Sequence, residues 1–484
     1  MLITRAEIHG ADVADLRIEN GKITAIGRLA RRSGEEVLNL QGGAALPGLN
    51  DHHIHFMAYA AALDSLACGP PKVRTAEQLI EALGSARPNK DGWIRGIGYH
   101  QSVAGDIDRH WLDRHLPGIP VRMQHRSGRL WVVNGAGLER LARAVGNGSP
   151  PVHDEGRFYD QDEALGNLWS RTIPTVGEAS ARLASYGVTG LTDLTPHNDD
   201  TAAARFEELR SDGSLLQAVR VGGMLQMSHR LTGPTKVHLH DSDLPDFDDL
   251  CDLVRVSHAR HREVAVHCVT EAELVFAVAA FREAGAYPGD RIEHASITPP
   301  ALLSQLRELG LLVVTQPHFI AERGDAYRRE LPGAEHSWLY RCRAFLDGDI
   351  PLAAGSDAPF GHADPWRAMR AAVTRLTASG DILGQRERLT PEEALSLFLG
   401  ALDEPHQPRR IAVGVAADLC LLDRPWREAR VRLDSACIRA TVHNGNIIYN
   451  SVDGSEPEAY SSIASINPQA SACSAPIASP RIAM

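Results

Sequence analysis

The chain has 484 residues, 43% of them hydrophobic and 23% charged, a balance ordinary for a globular protein and too long for one small core. With 61 acidic against 50 basic residues its formal charge is −11, which argues against nucleic acid and anionic membranes as partners. No apolar run reaches the length of a membrane span.

Residues 1–45 read as short strands: "LITRAEIHG", then "DLRIENGKITAIG" turning at Asn20-Gly21, then "EEVLNLQG". The run ending in "NDHHIH" (50–55) is the first strand of a larger domain. Residues from about 56 to 175 are too many for one connection. They contain strand-like "GWIRGIGY" (92–99) and "PVRMQHRSGRLWVVN" (120–134) and predict an inserted subdomain over the mouth of that domain. Seven further apolar or β-branched runs follow: "VTGLTDLT" (188–195), "LLQAVRVGG" (215–223), "TKVHLHD" (235–241), "EVAVHCVT" (263–270), "RIEHASI" (291–297), "LLVVTQPHF" (311–319) and "PLAAGSDAP" (351–359). Most are separated by amphipathic helical stretches such as "DFDDLCDLVRVSHARH" and "EAELVFAVAAFREAG". Eight repeated strand–helix units predict an α/β fold of the (β/α)8 TIM-barrel type.

Strand texture returns in "ADLCLLDRP" and "CIRATVHNGNIIYN", with a second Asn-Gly turn at Asn444-Gly445. Both chain ends are therefore expected to close one small β-domain, 1–47 with 406–450, around a barrel at 48–405. The Ser-, Ala- and Pro-rich residues 451–484 read as a loosely attached extension. The seven cysteines are scattered without CxxC spacing, and the N-terminus shows no secretory signal pattern, so reduced thiols in a cytoplasmic enzyme are expected.

In such a barrel, chemistry gathers where side chains converge at the C-terminal ends of the strands. Those ends carry His53 and His55, Lys236, His267, His294 and Asp357. Strand alternation puts Asp51, His53 and His55 on one face and turns His52 toward the outer helices. Asp51, one layer below, is expected to orient a ligand imidazole. Imidazoles and a carboxylate aimed at one point suit a zinc-like divalent cation. A lysine among them is compatible once carbon dioxide converts it to an anionic carbamate able to bridge two cations. Singly, each residue has a bland reading: an incidental HxH, a hydrogen-bonded core histidine, a salt-bridged lysine, a turn at "GSDAP". Six such residues at the ends of five of the eight strands, in chain order, make coincidence the weaker explanation.

The sequence resembles the amidohydrolase superfamily, and within it the family-3 amidohydrolases that include N-substituted formamide deformylases. The resemblance rests on "LPGLNDHHIH" (46–55), "GWIRGIGYHQ" (92–101), "GVTGLTDL" (187–194), "VAVHCVTE" (264–271), "RIEHAS" (291–296), "GSDAPFGHADPWRAMRAAVTR" (355–375) and "VGVAADLCLLD" (413–423). It covers roughly residues 1 to 450. It implies a metal-dependent hydrolase barrel with a β-sandwich built from both chain ends, and His53, His55, Lys236, His267, His294 and Asp357 as metal-site positions. The chain departs from the family pattern at His100, at Arg129, at His240-Asp241 where an Asp-Gly is usual, and at "HCVTE".

The chemistry expected is cleavage of an amide or N-substituted formamide C–N bond by hydroxide activated at the cation, with Asp357 as general base and then general acid. Zinc is the first candidate, as one or two ions, with cobalt, manganese or iron as alternatives; no organic cofactor is expected. Hydrolytic deamination, cyclic-amide opening and a non-catalytic binding barrel are the other readings. Substrate contacts are expected from Tyr99, Arg129, Trp131, His240, Gln316 and His318, with Arg129 a candidate to hold a substrate carboxylate. The expected partner is a small amide-type molecule, and homo-oligomerisation is left open.

Overall fold

The computed structural model describes residues 1–451 except 9, 11, 71, 146–154, 160, 162–164 and 166–173. The extension expected after Ser451 lies outside the described residues. Two compact units emerge: Met1–Ser65 joined to Arg171–Ser451, and a second containing Leu66–Ser170.

The first unit opens with strands β1 (Leu2–Ile8), β2 (Asp12–Glu19), β3 (Lys22–Gly27), β4 (Val37–Asn39) and β5 (Ala44–Pro47). The hairpin between β2 and β3 turns at Asn20-Gly21, both residues with positive φ (49° and 74°), the geometry that favours Asn-Gly in a two-residue hairpin. Strand β6 (Leu49–Ile54) is buried along its whole length and leads into the helix Phe56–Leu63.

The second unit holds β7 (Leu66–Ala67), β8 (Ile94–Tyr99), β9 (Val121–His125), β10 (Leu130–Val133) and β11 (Arg157–Tyr159), hydrogen-bonded in the order β11-β10-β9-β8-β7. One of its cores joins Ile94, Tyr99, Val121 and Met123, and another joins Trp93, Trp131 and Val133.

The first unit resumes with β12 (Val188–Asp193), β13 (Ala218–Gly223), β14 (Thr232–His238), β15 (Val264–Cys268), β16 (Arg291–His294), β17 (Leu312–Thr315) and β18 (Leu352–Ala354). Together with β6 these form one eight-stranded sheet whose ladders are all parallel, ordered β18-β17-β16-β15-β14-β13-β12-β6. Backbone bonds from Asp357 N to His53 O (2.7 Å) and from His55 N to Ala358 O (2.9 Å) link the two ends of the order. This is the barrel expected from the sequence. Its connections include helices Asp200–Ser211, Phe247–Ala259, Glu271–Ala284 and Pro300–Glu308, whereas β13 passes to β14 through a loop. The apolar faces of strands and helices share one core containing Leu191, Val264, Ile292, Val313, Phe206 and Phe281. Each such side chain contributes about 1.5–3 kcal/mol on burial.

After the barrel come β19 (Leu419–Leu422), β20 (Ile438–His443) and β21 (Asn446–Asn450). Strand β19 pairs antiparallel with β5, joining the two chain ends in a mixed sheet ordered β21-β20-β19-β5-β1-β2-β3, with β4 on β1. Ile3, Leu16, Ile23, Leu419 and Val442 form its separate core.

Candidate metal centre

The two ends of the barrel order build the site. Beyond β6, His55 starts the helix Phe56–Leu63; beyond β18, the chain turns through Gly355 and Ser356 to Asp357. Asp357 has φ +53°, a left-handed conformation uncommon outside glycine. Its Oδ1 lies 3.4 Å from His53 Nε2 and 3.2 Å from His55 Nε2. Burial works to raise the Asp357 pKa, but a hydrogen bond to His55 and the charges of His294 and His53 hold it far below the carboxylate range.

The opposite edge of each imidazole is also held. His53 Nδ1 lies 2.6 Å from Glu293 Oε2, His294 Nδ1 lies 2.7 Å from Gln316 Oε1, and His55 Nδ1 lies 3.3 Å from Thr195 Oγ1. An ionised carboxylate and an amide oxygen only accept, so His53 and His294 carry their protons on Nδ1 and leave Nε2 with a lone pair. Asp51 was the expected partner for a ligand imidazole. Instead its Oδ1 accepts from the backbone N–H groups of His53 (3.1 Å) and Ser356 (2.9 Å), so it clamps the two chain segments. His52 is fully buried on the other face, as alternation predicts.

His53, His294 and Asp357 each bring one ligand atom within 4.8 Å of the other two. The ring of His294 stands 4.8 Å from that of His53 and 4.5 Å from that of His267. Burial pushes His294 down to about 3 and His267 well below its ordinary value, so both rings are neutral and able to donate lone pairs. His53 Nε2 and Lys236 Nζ are buried without a hydrogen-bond partner among the described residues. Orphaned buried donors and acceptors are costly, and nitrogen and oxygen ligands converging beside them fit a divalent cation. Burial also brings Lys236 down to about 8.

The six expected substrate contacts fare differently. Gln316 is fully buried, with its oxygen on His294; His318 is buried and its Nε2 donates to Ser356 O at 3.0 Å. Each thus bonds a segment that carries a candidate ligand, Gln316 at His294 and His318 at the residue before Asp357. Tyr99 donates its hydroxyl proton to Gly105 O (2.6 Å), and Trp131 lies buried beneath the guanidinium groups of Arg95 and Arg122, so both pack within the second unit. Arg129 is half-buried in that unit, its N–H 3.4 Å from Ser127 Oγ. His240 is half-buried, its ring 4.3 Å from that of His238.

Three nearby residues were not anticipated. Glu293 is the partner of His53. His238, exposed, lies opposite His267 in the β14–β15 register with rings 4.3 Å apart. It sits two residues beyond Lys236, so strand alternation alone could have identified it. Phe360 meets the ring of His55 edge-on at 5.5 Å.

The sequence pattern of the amidohydrolase family matches residues 36–449. The chain belongs to that family. It is thus an enzyme hydrolysing carbon–nitrogen bonds. This amidohydrolase is 23% identical to the N-substituted formamide deformylase of Arthrobacter pascens, over 88% of this chain and 93% of that protein. It is 22% identical to amidohydrolase YtcJ of Bacillus subtilis, over 89% and 95%. Its fold is similar to that of a metal-dependent hydrolase from Pyrococcus horikoshii (TM-score 0.71, 21% identity, 87% of this chain and 97% of that one). A second similar fold is N-isopropylammelide isopropylaminohydrolase from Burkholderia multivorans (TM-score 0.51, 17% identity, 92% and 97%).

Gly355 of this amidohydrolase has no room for a side chain: an added Cβ would stand 2.4 Å from His53 N and 2.6 Å from His53 Cβ. Gly355→Ala is therefore expected to displace His53, costing about 1–3 kcal/mol of stability as an overpacked site does. A lower midpoint in urea unfolding, together with reduced turnover, would bear this out; wild-type values for both would contradict the packing argument.

Proposed function

We propose that the protein is a divalent-cation-dependent hydrolase that cleaves the C–N bond of an amide or N-substituted formamide, releasing an acid, or formate, and an amine. The observation that carries this reading is the buried Asp357 carboxylate, set against the Nε2 edges of His53 and His55 with His294 beside it. The likeness to a formamide deformylase over most of both chains supports the substrate class.

His53, His55, His267, His294 and Asp357 would hold the cation, zinc being the first candidate, and Lys236 as a carbamate would allow a second. Burial makes the free amine of Lys236, the form that combines with carbon dioxide, accessible near neutral pH. A cation bound there supplies a Lewis acid that polarises the carbonyl and eases deprotonation of water. Asp357 takes the proton from the attacking water and passes it to the departing nitrogen, which leaves poorly as an anion. Glu293, Gln316 and Thr195 hold the imidazoles in one orientation throughout. The reading includes a cytoplasmic setting: the six described cysteines are free and buried, and no described helix is long and apolar enough to cross a membrane.

The test is turnover of the zinc-supplemented protein on N-substituted formamides, N-acyl amines, cyclic amides and aminated rings, with products identified. Amine appearing together with formate or a carboxylic acid is the expected result. Ammonia released from an aminated ring, with no amide cleaved, would replace this reading by deamination.

A further inference from the structure

Below the ligand atoms the barrel holds a second charged layer that the reaction itself does not use. Arg291 and Glu293 lie two residues apart on β16, so both point into the barrel, and each is almost wholly buried. Arg291 Nε donates to Glu293 Oε1, and Arg291 Nη2 donates to His52 O at 2.6 Å. Glu293 Oε2 is left for His53 Nδ1 at 2.6 Å. Two segments distant in sequence are thereby tied by one chain of charge-assisted bonds: the β16 ion pair meets β6 twice, at the His52 carbonyl and at the His53 imidazole.

We infer that Arg291 and Glu293 act as a positioning pair that fixes the His53 tautomer and strengthens this ring as a cation ligand. The inference rests on the proposed role of His53 in holding a cation. The pair is unlike the other two supports: His294 meets a neutral amide, and His55 meets a hydroxyl at longer range. A negative charge on Nδ1–H increases electron density at Nε2 and so its basicity toward a metal, and such partners are typically worth 10–100-fold in metal affinity. Arg291 balances the charge of Glu293 and restrains the carboxylate, since its planar guanidinium is itself held by the His52 carbonyl. The chemistry also explains why an amide cannot replace this carboxylate. Two donors, Arg291 Nε–H and His53 Nδ1–H, converge on it, and only a group with two acceptor oxygens satisfies both. Glutamine would set an NH2 against one of them.

Two measurements on the full chain test the pair. In wild-type protein stripped of cations, nitrogen-15 NMR with labelled histidine, assigned through a His53→Asn variant, should show His53 protonated on Nδ1 and bare at Nε2; the reverse tautomer would overturn the inference. Zinc affinity, read by competition with a chromogenic chelator, should fall about 10–100-fold in Glu293→Gln and recover in large part in Glu293→Asp, which keeps both acceptors. Glu293→Gln that binds zinc within threefold of wild type would overturn the positioning role while leaving the proposed function intact. Wild-type protein that takes up no zinc, cobalt or manganese would overturn both.

Discussion

Asp357→Asn is expected to lower kcat by roughly 10³-fold or more while leaving the protein folded and able to take up cation. A positioned acid–base group contributes about 10²–10⁴-fold, and here one residue serves both the attacking water and the leaving nitrogen. Asparagine keeps the shape and an oxygen facing His53 and His55, but it can neither accept nor deliver the proton. The backbone bond from Asp357 N to His53 O does not involve the side chain, so the link between the ends of β6 and β18 survives. The loss should therefore fall on kcat at saturating substrate, with metal content near that of wild type. A zinc-loaded Asn variant with wild-type turnover would remove Asp357 from the mechanism.

The barrel was legible because its strands announce themselves twice, as short β-branched runs and as polar residues where those runs end. "RIEHASI" and "LLVVTQPHF" each contain the observed strand, Arg291–His294 and Leu312–Thr315. Strand β14 shows where pattern reading falls short. It begins at Thr232, three residues before the expected "TKV", because Gly233 and Pro234 look like breakers. The register slips between β13 and β14 beside them, and such an irregularity accommodates both residues inside the sheet.

The candidate ligands were proposed for the same reason, from polar residues toward the ends of five strands, His53 and His55 sharing the first. Their supports were not. Glu293 reaches His53 across 240 positions, and nothing local in "RIEH" says which imidazole its neighbour will meet. Asp51, two residues from His53, looked the nearer choice, yet strand geometry turns its carboxylate onto backbone N–H groups. Tyr99 and Trp131 show a related ambiguity: an aromatic in an inserted segment reads equally as a ligand contact or as core, and both pack in cores of the second unit. His238 lay within reach of the alternation argument, and attention to Lys236 alone passed over it.

Removal of the cation is expected to have an effect as large as loss of Asp357. The three ligand atoms of His53, His294 and Asp357 are drawn together in a buried place where two imidazoles are neutral and one carboxylate is ionised. Without a cation nothing in that arrangement is strongly electrophilic, since neutral rings and a carboxylate cannot stabilise a developing oxyanion. Lewis-acid stabilisation is worth several kcal/mol, so turnover should fall roughly 10³-fold or more on its removal. The direct measurement is amine release from the best amide substrate after dialysis against a chelator, with metal content determined on the same sample, followed by titration with zinc, cobalt or manganese. The account predicts that activity disappears with the metal and returns as one or two equivalents are bound. Full turnover by protein shown to be free of metal would contradict it.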